Sequence, residues 1–309
     1  MTMRAYNLFS LASALFLAFL AVCAAPAQKQ HDRSPQHELL SRLQTEAVTE
    51  SSGLALSQRD RDVFWTHNDS GGQARLFAFD SQGTCRAIVR IKGADAVDWE
   101  DLTAAIIDGT PCLIVADFGD NARRRSNYQL YVVKEPELAN ESGGEPVRGE
   151  VKLRQRVEFH YDNGSQNSEA IAWIPGSRSV LLASKNKQFR SDVYRLRLPE
   201  SDPDRPLEAK RIRTLPVPLV TAMDISPDGR RLVLCTYLMA IEYKRQKGES
   251  WKDALGRDPA MIALPRRQQG ESIAYGRDGS VLYLTSEGAP MPLWRTQIRK
   301  ETAHTPARD

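Results

Sequence analysis

Apolar and polar positions along this chain alternate in short runs that turn residues separate. The stretch ESIAYGRDGSVLYLTSEG, residues 271–288, contains two apolar runs joined by an Asp-Gly pair. This pattern predicts a β-hairpin, because Asp-Gly favours the backbone angles of tight hairpin turns. Similar hairpins begin at residues 52, 100, 169 and 221, and further strand-like runs follow each of them. Helical periodicity is nearly absent beyond the N-terminal apolar segment, and only residues 38–43 indicate a helix.

The hairpins recur at intervals of about 50 residues, a repeat length typical of β-propeller blades with four strands each. The last repeat lacks a fourth strand, and RLQTEAV, residues 42–48, is placed to supply it from the N-terminal side. The polar stretch ELANESGGEPVRGE, residues 137–150, predicts a surface loop within the second repeat. We therefore expect an all-β fold, a β-propeller of five blades closed by an N-terminal strand, with six blades as the alternative.

The N-terminal segment has the features of a secretory signal peptide over residues 1–27. Its apolar part, residues 8–22, is too short for a comfortable membrane span, and an Ala-x-Ala cleavage site ends at Ala27. Lipid attachment at Cys23 is the alternative processing. We expect residues 28–300 to form one propeller domain and residues 301–309 to form a polar tail. The mature protein is then expected to be periplasmic or secreted.

Charge and cysteine usage exclude some classes of protein. The chain has 42 basic and 39 acidic residues, a net charge of +3, and this balance argues against nucleic acid as a partner. No later segment is long and apolar enough to predict a membrane span. Three cysteines follow the signal, and one disulfide among them is conceivable in an oxidising compartment. The apolar runs around Cys112 and Cys235 favour buried thiols, with Cys85 as the third.

Alignment of the five repeats places three carboxylates at one structural position. The residues just before the first strands are Ser52, Glu100, Glu169, Thr221 and Glu271. In a propeller these positions surround one mouth of the central channel, and the second strands end on the same face.

Carboxylates that converge at one mouth repel one another unless a cation or protons neutralise them. Asp, Glu and Asn oxygens suit a hard cation, calcium before magnesium. The predicted ligands are Glu100, Glu169, Glu271, Asn68, Asp69, Asp117 and Asn121. Hydration and hydrogen bonds from backbone amides are the alternative explanation of these acids.

Several motifs between residues 51 and 136 carry a resemblance to known proteins. GLALS, VFWTHNDSGG, DWEDLTA, VADFGDN and YQLYVVKEP occur there in this order. In these motifs the chain resembles a family of exported bacterial β-propeller proteins. The resemblance implies a propeller fold and export, and it assigns no activity.

A looser similarity extends to the calcium-dependent gluconolactonase and paraoxonase propellers. In those enzymes a Glu that opens an inner strand holds a catalytic calcium together with Asn and Asp from other blades. The acids and amides named above are similar in kind, which implies a calcium-dependent hydrolase. Those relatives have six blades, whereas five repeats are counted here, so the likeness is one of fold.

Three functions are compatible with this pattern. The first is a ligand-binding or scaffold propeller, because the chain lacks G-x-S-x-G, H-E-x-x-H and P-loop signatures. The second is a calcium-dependent hydrolase of a lactone or phosphoester, with His67 and Glu169 as catalytic residues. The third is glycoside cleavage by paired carboxylates. The residues expected to hold a small or anionic ligand are Trp99, Arg123, Arg124 and Lys185, although the pattern favours packing for Trp99.

Overall fold

The described part of the chain is built almost entirely from β-strands, which confirms the expected all-β class. The computed structural model describes residues 36–69, 72–138, 145–186 and 189–298, which contain twenty strands and one short helix. The expected signal peptide and polar tail lie outside the described residues. Within these ranges no helix has the length and hydropathy that a membrane span needs.

Consecutive strands pair in antiparallel order and form five sets of four, which we number one to five. Set one consists of β2 Ser51–Leu56, β3 Val63–Asn68, β4 Arg75–Asp80 and β5 Cys85–Lys92. Set two consists of β6 Trp99–Ile107, β7 Thr110–Asp117, β8 Tyr128–Lys134 and β9 Val147–Tyr161. Set three consists of β10 Ser168–Trp173, β11 Ser179–Ser184, β12 Ser191–Arg197 and β13 Leu207–Leu215. Set four consists of β14 Val220–Ile225, β15 Arg231–Thr236, β16 Met239–Lys244 and β17 Ala260–Ala263. The helix α1, Trp251–Ala254, connects β16 to β17.

The fifth set combines both ends of the described chain. It consists of β18 Ala274–Tyr275, β19 Val281–Leu284, β20 Pro292–Gln297 and the N-terminal β1 His37–Arg42. β1 pairs antiparallel with β20, so the expected helix over residues 38–43 is wrong, because cross-strand pairing overrides the local helical pattern. The pairing segment also lies earlier than the expected residues 42–48. Leu43 and Val48 instead pack beside Met291 in the core, which explains the apolar pattern of that segment.

The long strand β9 joins neighbouring sets. Its first residues pair in parallel with β5, its central part pairs antiparallel with β8, and its end pairs in parallel with β13. Sets one to three therefore form one hydrogen-bonded sheet of twelve strands. Residues 147–150, expected in a surface loop, belong to β9, because the open edge of β5 offers unpaired backbone groups to this segment.

The first strands of the sets lie side by side in a closed order. β2 contacts β6, β6 contacts β10, β10 contacts β14, β14 contacts β18, and β18 contacts β2. Among the described residues five buried apolar clusters occur, and each joins two sets that are neighbours in this order. Cys85, Cys112 and Cys235 are buried free thiols, as the apolar pattern favours.

Buried polar side chains fix the first strands against one another. The Asp101 Oδ2 atom accepts a hydrogen bond from the Ile171 N–H at 2.9 Å, and the Thr103 Oγ1 atom accepts from the Trp173 N–H at 3.1 Å. The two bonds join residues two apart on both strands in the same order, so β6 and β10 run in the same direction. The starts of these first strands therefore lie at one end of the molecule.

Candidate functional site

A β-bulge recurs at the start of the first strands. The register slips between Trp99 and Asp101 in set two, between Ser168 and Ala170 in set three, and between Val220 and Ala222 in set four. The residues that the slips leave unpaired are Glu100, Glu169 and Thr221. A bulge re-aims the side chain of its extra residue, so these three positions project differently from the rest of the strand.

The two hydroxyl residues at the aligned position bind backbone carbonyls of neighbouring sets. The Ser52 Oγ atom donates to the Glu100 carbonyl at 2.7 Å, and the Thr221 Oγ1 atom donates to the Gly270 carbonyl at 2.8 Å. Gly270 directly precedes Glu271 in the chain. The two hydroxyl groups thus fix the backbone at Glu100 and at Gly270, the residue before Glu271.

Lys185 forms an ion pair with Glu169 and also lies close to Glu271. Its Nζ atom lies 2.9 Å from Glu169 Oε2 and 3.9 Å from Glu271 Oε1. The Asn167 side-chain amide donates to Glu169 Oε1 at 2.8 Å, and the Tyr237 hydroxyl donates to Glu271 Oε1 at 3.2 Å. Burial alone would lower the pKa of Lys185, but the Glu169 charge and the hydrogen bonds to Glu169 and Tyr237 raise it. Glu169 therefore already has a protein cation as its partner.

Five carboxylates near Lys185 and Glu169 form two overlapping triads, which we call the acid cluster. One triad is Asp69, Glu271 and Glu287, and the other is Asp69, Asp98 and Glu100. In each triad one oxygen atom from every residue lies within 4.8 Å of the others. Asp69 belongs to both triads, so the acid cluster is continuous.

Burial and mutual repulsion make the acid cluster bind protons strongly. Burial raises the pKa of Glu100 well above its usual value, and the Glu169, Asp69 and Asp98 charges raise it further. Burial, a hydrogen bond with Glu271 and the Glu271 charge raise the pKa of Glu287 to about 8. Burial also raises the pKa of Asp98, although the Arg125 charge opposes this. Without another positive charge, these groups hold protons at a pH where carboxyls are normally ionised.

Gly119 allows the backbone to approach two members of the acid cluster. A Cβ atom at this position would lie 2.3 Å from Glu100 Oε1 and 2.5 Å from Asp98 Oδ2. The Gly119 N–H donates to the Asp98 carbonyl at 3.1 Å. Any larger residue would displace the carboxylates, so the glycine of the VADFGDN motif is required by close approach.

Besides Glu169, three more expected metal ligands have other partners in the structure. The Asp117 Oδ1 atom is 2.8 Å from Arg125 Nη1, and this buried carboxylate also accepts the Val97 N–H at 3.1 Å. The Asn68 side chain donates to the Ala47 carbonyl at 2.9 Å and accepts from the Thr49 N–H at 3.1 Å. Its role is to fix the segment before β2.

Asn121, the third of these residues, is exposed and accepts a bond of 3.3 Å from the Asn167 amide. Asn167 also donates to Glu169, so the Asn167 side chain connects Asn121 to Glu169. Of the seven predicted ligands, the triads bring together Asp69, Glu100 and Glu271.

Asp98 and Glu287 were not among the predicted ligands, although the sequence contains a signal for one of them. Glu287 follows the second strand of set five, as Asp69 follows that of set one. The repeat alignment could therefore have included it. Asp98 lies two residues before Glu100 but has no equivalent in the other repeats, so the repeat alignment did not select it.

His67 and Trp99 form a buried pair next to this region. The His67 Nδ1 atom donates to the Asn68 carbonyl at 2.9 Å, and the two rings meet edge to face with centroids 5.5 Å apart. Burial lowers the pKa of His67 to about 4, so the ring is neutral. Its Nε2 atom is buried and has no hydrogen-bond partner within the described ranges. The Trp99 indole N–H donates to the Asp95 carbonyl at 2.8 Å.

The expected anion-binding arginines lie in the turn after β7. Arg123 and Arg124 are exposed, and the Arg124 backbone N–H donates to the Asp120 carboxylate at 2.8 Å. The third arginine of this run, Arg125, is the one that reaches the buried Asp117. A role for Arg123 and Arg124 in ligand binding stays a prediction.

Comparison with known proteins assigns no family. Neither a scan against protein-family models nor a search of curated proteins finds a match to this chain. The function is therefore argued from the geometry of the acid cluster alone.

Proposed function

We propose that this chain is a five-bladed β-propeller and that its acid cluster binds a calcium ion at one mouth of the central channel. The propeller is supported by five antiparallel sets of four strands, by the closed order of their first strands, and by the apolar clusters between neighbouring sets. Each set is then one blade, and β1 completes the last. Membership of the exported propeller family, and export itself, are part of the same proposal.

The observation that carries the calcium proposal is that Asp69 belongs to both carboxylate triads. Calcium binds oxygen ligands at about 2.3–2.6 Å, so two oxygens on one ion are at most about 5 Å apart. The oxygens of each triad lie within 4.8 Å of one another, which is compatible with this limit. Magnesium usually keeps several water ligands and is bound through one or two carboxylates, so a cluster of five carboxylates suits calcium better.

Electrostatics supports a divalent cation at the acid cluster. Glu100, Glu287 and Asp98 all have pKa values that burial raises above the usual range for carboxyls. A bound cation would remove the repulsion that contributes to these shifts and would allow the carboxylates to ionise together. Lys185 pairs with Glu169 at 2.9 Å and lies farther, at 3.9 Å, from Glu271 of the acid cluster, so the cation belongs with the Asp69 triads.

A ligand-binding or scaffold role fits better than the two enzymatic alternatives. His67, the expected general base, is buried, and its ring packs against Trp99. A general base needs access to the proton that it removes, and this position does not provide it. For glycoside cleavage, two catalytic carboxyls must be about 5 Å or more apart. Glu100 and Glu169 instead share a hydrogen bond.

Calcium titration by isothermal calorimetry tests the proposal. Asp98→Asn removes one carboxylate of the acid cluster and preserves its shape, so we expect calcium affinity to fall about tenfold or more. Asp95→Asn is the matched control, since its side chain is 75% exposed in the same loop and lies in neither triad. Its affinity should stay within about twofold of the unmodified protein.

Two results would contradict the proposal. One is the absence of calcium binding in the unmodified protein at millimolar concentration. The other is an equal loss of affinity in Asp98→Asn and Asp95→Asn, because that would indicate a nonspecific effect of surface charge.

A further inference from the structure

A cavity lies at the ends of the first strands that are opposite to the acid cluster. It has a volume of about 310 Å³, and residues from the segments 54–58, 103–106, 173–176, 224–227 and 275–277 line it. All five sets therefore contribute to it. None of these residues belongs to the acid cluster, and the volume is within the range of small-molecule sites.

Apolar and polar side chains both line this cavity, and two of them, Trp173 and Tyr275, are aromatic. Leu54, Leu56 and Ile225 come from two of the first strands, and Trp173 adds an indole ring. Ile106 stands at the cavity with 46% of its surface exposed. Such walls remove water from a ligand and strengthen any charge interaction inside.

Asp224 is the single carboxylate that lines the cavity. Its Oδ1 atom accepts the Ile225 N–H at 2.8 Å, and its Oδ2 atom accepts the Tyr275 N–H at 2.7 Å. The side chain lies deep in the protein, yet it is partly accessible from the cavity. Within the described ranges no ion pair involves Asp224.

The other charged groups near Asp224 already have partners. Arg277 is exposed at the rim, where its guanidinium donates to the Ser57 and Asp60 carbonyls. The Tyr275 hydroxyl donates to Glu242 at 2.7 Å, and Glu242 lies 3.7 Å from the Arg231 guanidinium. The buried Asp101 on β6 accepts two backbone amides, and burial raises its pKa well above the usual value.

We infer that this cavity binds a small organic cation, with its ammonium group at Asp224 and an apolar or aromatic body against Trp173 and Ile106. A buried carboxylate without a cation gains more from an ion pair than a solvated surface charge does. The face of Trp173 also favours a cation over an anion. Arg277 offers little to an anion in comparison, because its charge is at the solvent rim and its donors are in use.

Three probes that share a phenyl group but differ in charge test which ligand charge the cavity prefers. They are 2-phenylethylammonium, 2-phenylethanol and phenylacetate, measured by ligand-observed NMR and calorimetry with saturating calcium present. Calcium occupies the acid cluster if the proposed function is right, and the probes then report on the cavity. The cation should bind about tenfold or more tightly than the alcohol, and phenylacetate should bind most weakly. Preference for phenylacetate, or no binding of the cation, would overturn the inference.

Variants at the cavity locate the binding. Ile106→Trp fills the cavity from an exposed position, so we expect a folded protein that loses cation binding about tenfold or more. Asp224→Asn should have a similar effect, although it also leaves one backbone N–H without its acceptor. Asp258→Asn, at an exposed carboxylate before β17, is the control and should bind normally.

The dependence of binding on pH gives an independent signature. Burial raises the pKa of Asp224 to about 7, whereas the ammonium probe remains charged until about pH 10. Cation binding should therefore strengthen as the pH rises from 6 to 8, because Asp224 becomes ionised. Binding that survives Ile106→Trp unchanged would place the cation elsewhere and would refute the inference, even if calcium binds the acid cluster as proposed.

Discussion

Glu100 and Asp101 are neighbours in the sequence and are both buried, yet their environments are opposite. The Asp101 carboxylate accepts the Leu102 N–H at 2.8 Å and the Ile171 N–H at 2.9 Å. Asp224 repeats this arrangement two sets further on, with one amide from its own strand and one from the next set. The Glu100 carboxyl instead faces the carboxyls of Asp98, Asp69 and Glu169.

This difference separates acids whose oxygens accept backbone amides from acids that face one another. Burial raises the pKa of both Glu100 and Asp101, so a raised pKa alone does not distinguish them. The type of partner does, because backbone amides satisfy Asp101 while neighbouring carboxyls repel Glu100. The acid cluster therefore needs protons or a cation, whereas Asp101 already has the partners that its place in the fold requires.

The largest effect expected from this comparison concerns Asp101. Asp101→Ala would leave two buried backbone N–H groups without acceptors, at a cost of about 2–5 kcal/mol in the free energy of unfolding. Urea denaturation followed by circular dichroism measures this change. Asp258→Ala, at an exposed carboxylate, should change the free energy by no more than about 0.5 kcal/mol. Equal stabilities for the two variants would show that Asp101 does not fasten β6 to β10.

The next effect concerns the backbone beside the acid cluster. Gly119→Ala would place a Cβ atom 2.3 Å from Glu100 Oε1 and push the carboxylates apart, so calcium affinity should fall about tenfold. Gly149→Ala is the matched control, because its Cβ would meet nothing within 4 Å in β9. Calorimetric titration compares the two variants. Unchanged affinity in Gly119→Ala would exclude Glu100 and Asp98 as joint ligands.

The smallest effect is a pH dependence that calcium should reverse in part. Because the pKa of Glu287 is raised to about 8, the folded protein keeps protons that the unfolded chain releases above about pH 4.5. Calcium-free protein should therefore lose stability as the pH rises between these values. Glu100, Asp101 and Asp224 also have raised pKa values and add in the same direction.

Melting temperatures at pH 5 and pH 8, each with calcium and with chelator, measure this effect. Calcium should raise the melting temperature more at pH 8, where the acid cluster loses its protons. The contribution of Asp101 and Asp224 should remain, since their partners are backbone amides. A calcium effect that is equal at both pH values would contradict ion binding by ionised carboxylates of the acid cluster.

The strands were largely predictable because their signal is local. Asp-Gly turns and alternating apolar runs located the hairpins of sets two, four and five, including Val281–Leu284. The errors lie where distant chain segments compete for a residue. Residues 38–42 became a strand because β20 was available for pairing, and residues 147–150 became a strand because β5 had an open edge.

The candidate site was predictable only in outline. Repeat alignment singled out Glu100, Glu169 and Glu271, but it treated them as equivalent. In the structure Lys185 neutralises Glu169, while Glu271 and Glu100 join Asp69 in separate triads. The lysine comes from the end of β11, and no local pattern indicates which of several nearby acids it contacts.

The sequence by itself determined the all-β class, the recurring hairpins and the set of acids at the starts of the first strands, since these follow from local periodicity and repeat spacing. Only the tertiary structure decided which acids repel one another and which are satisfied. β-Bulges, the close approach of Gly119 and the reach of Lys185 depend on atoms far apart in the chain. Charge interactions depend on distances of a few ångströms, and packing between the sets determines those distances.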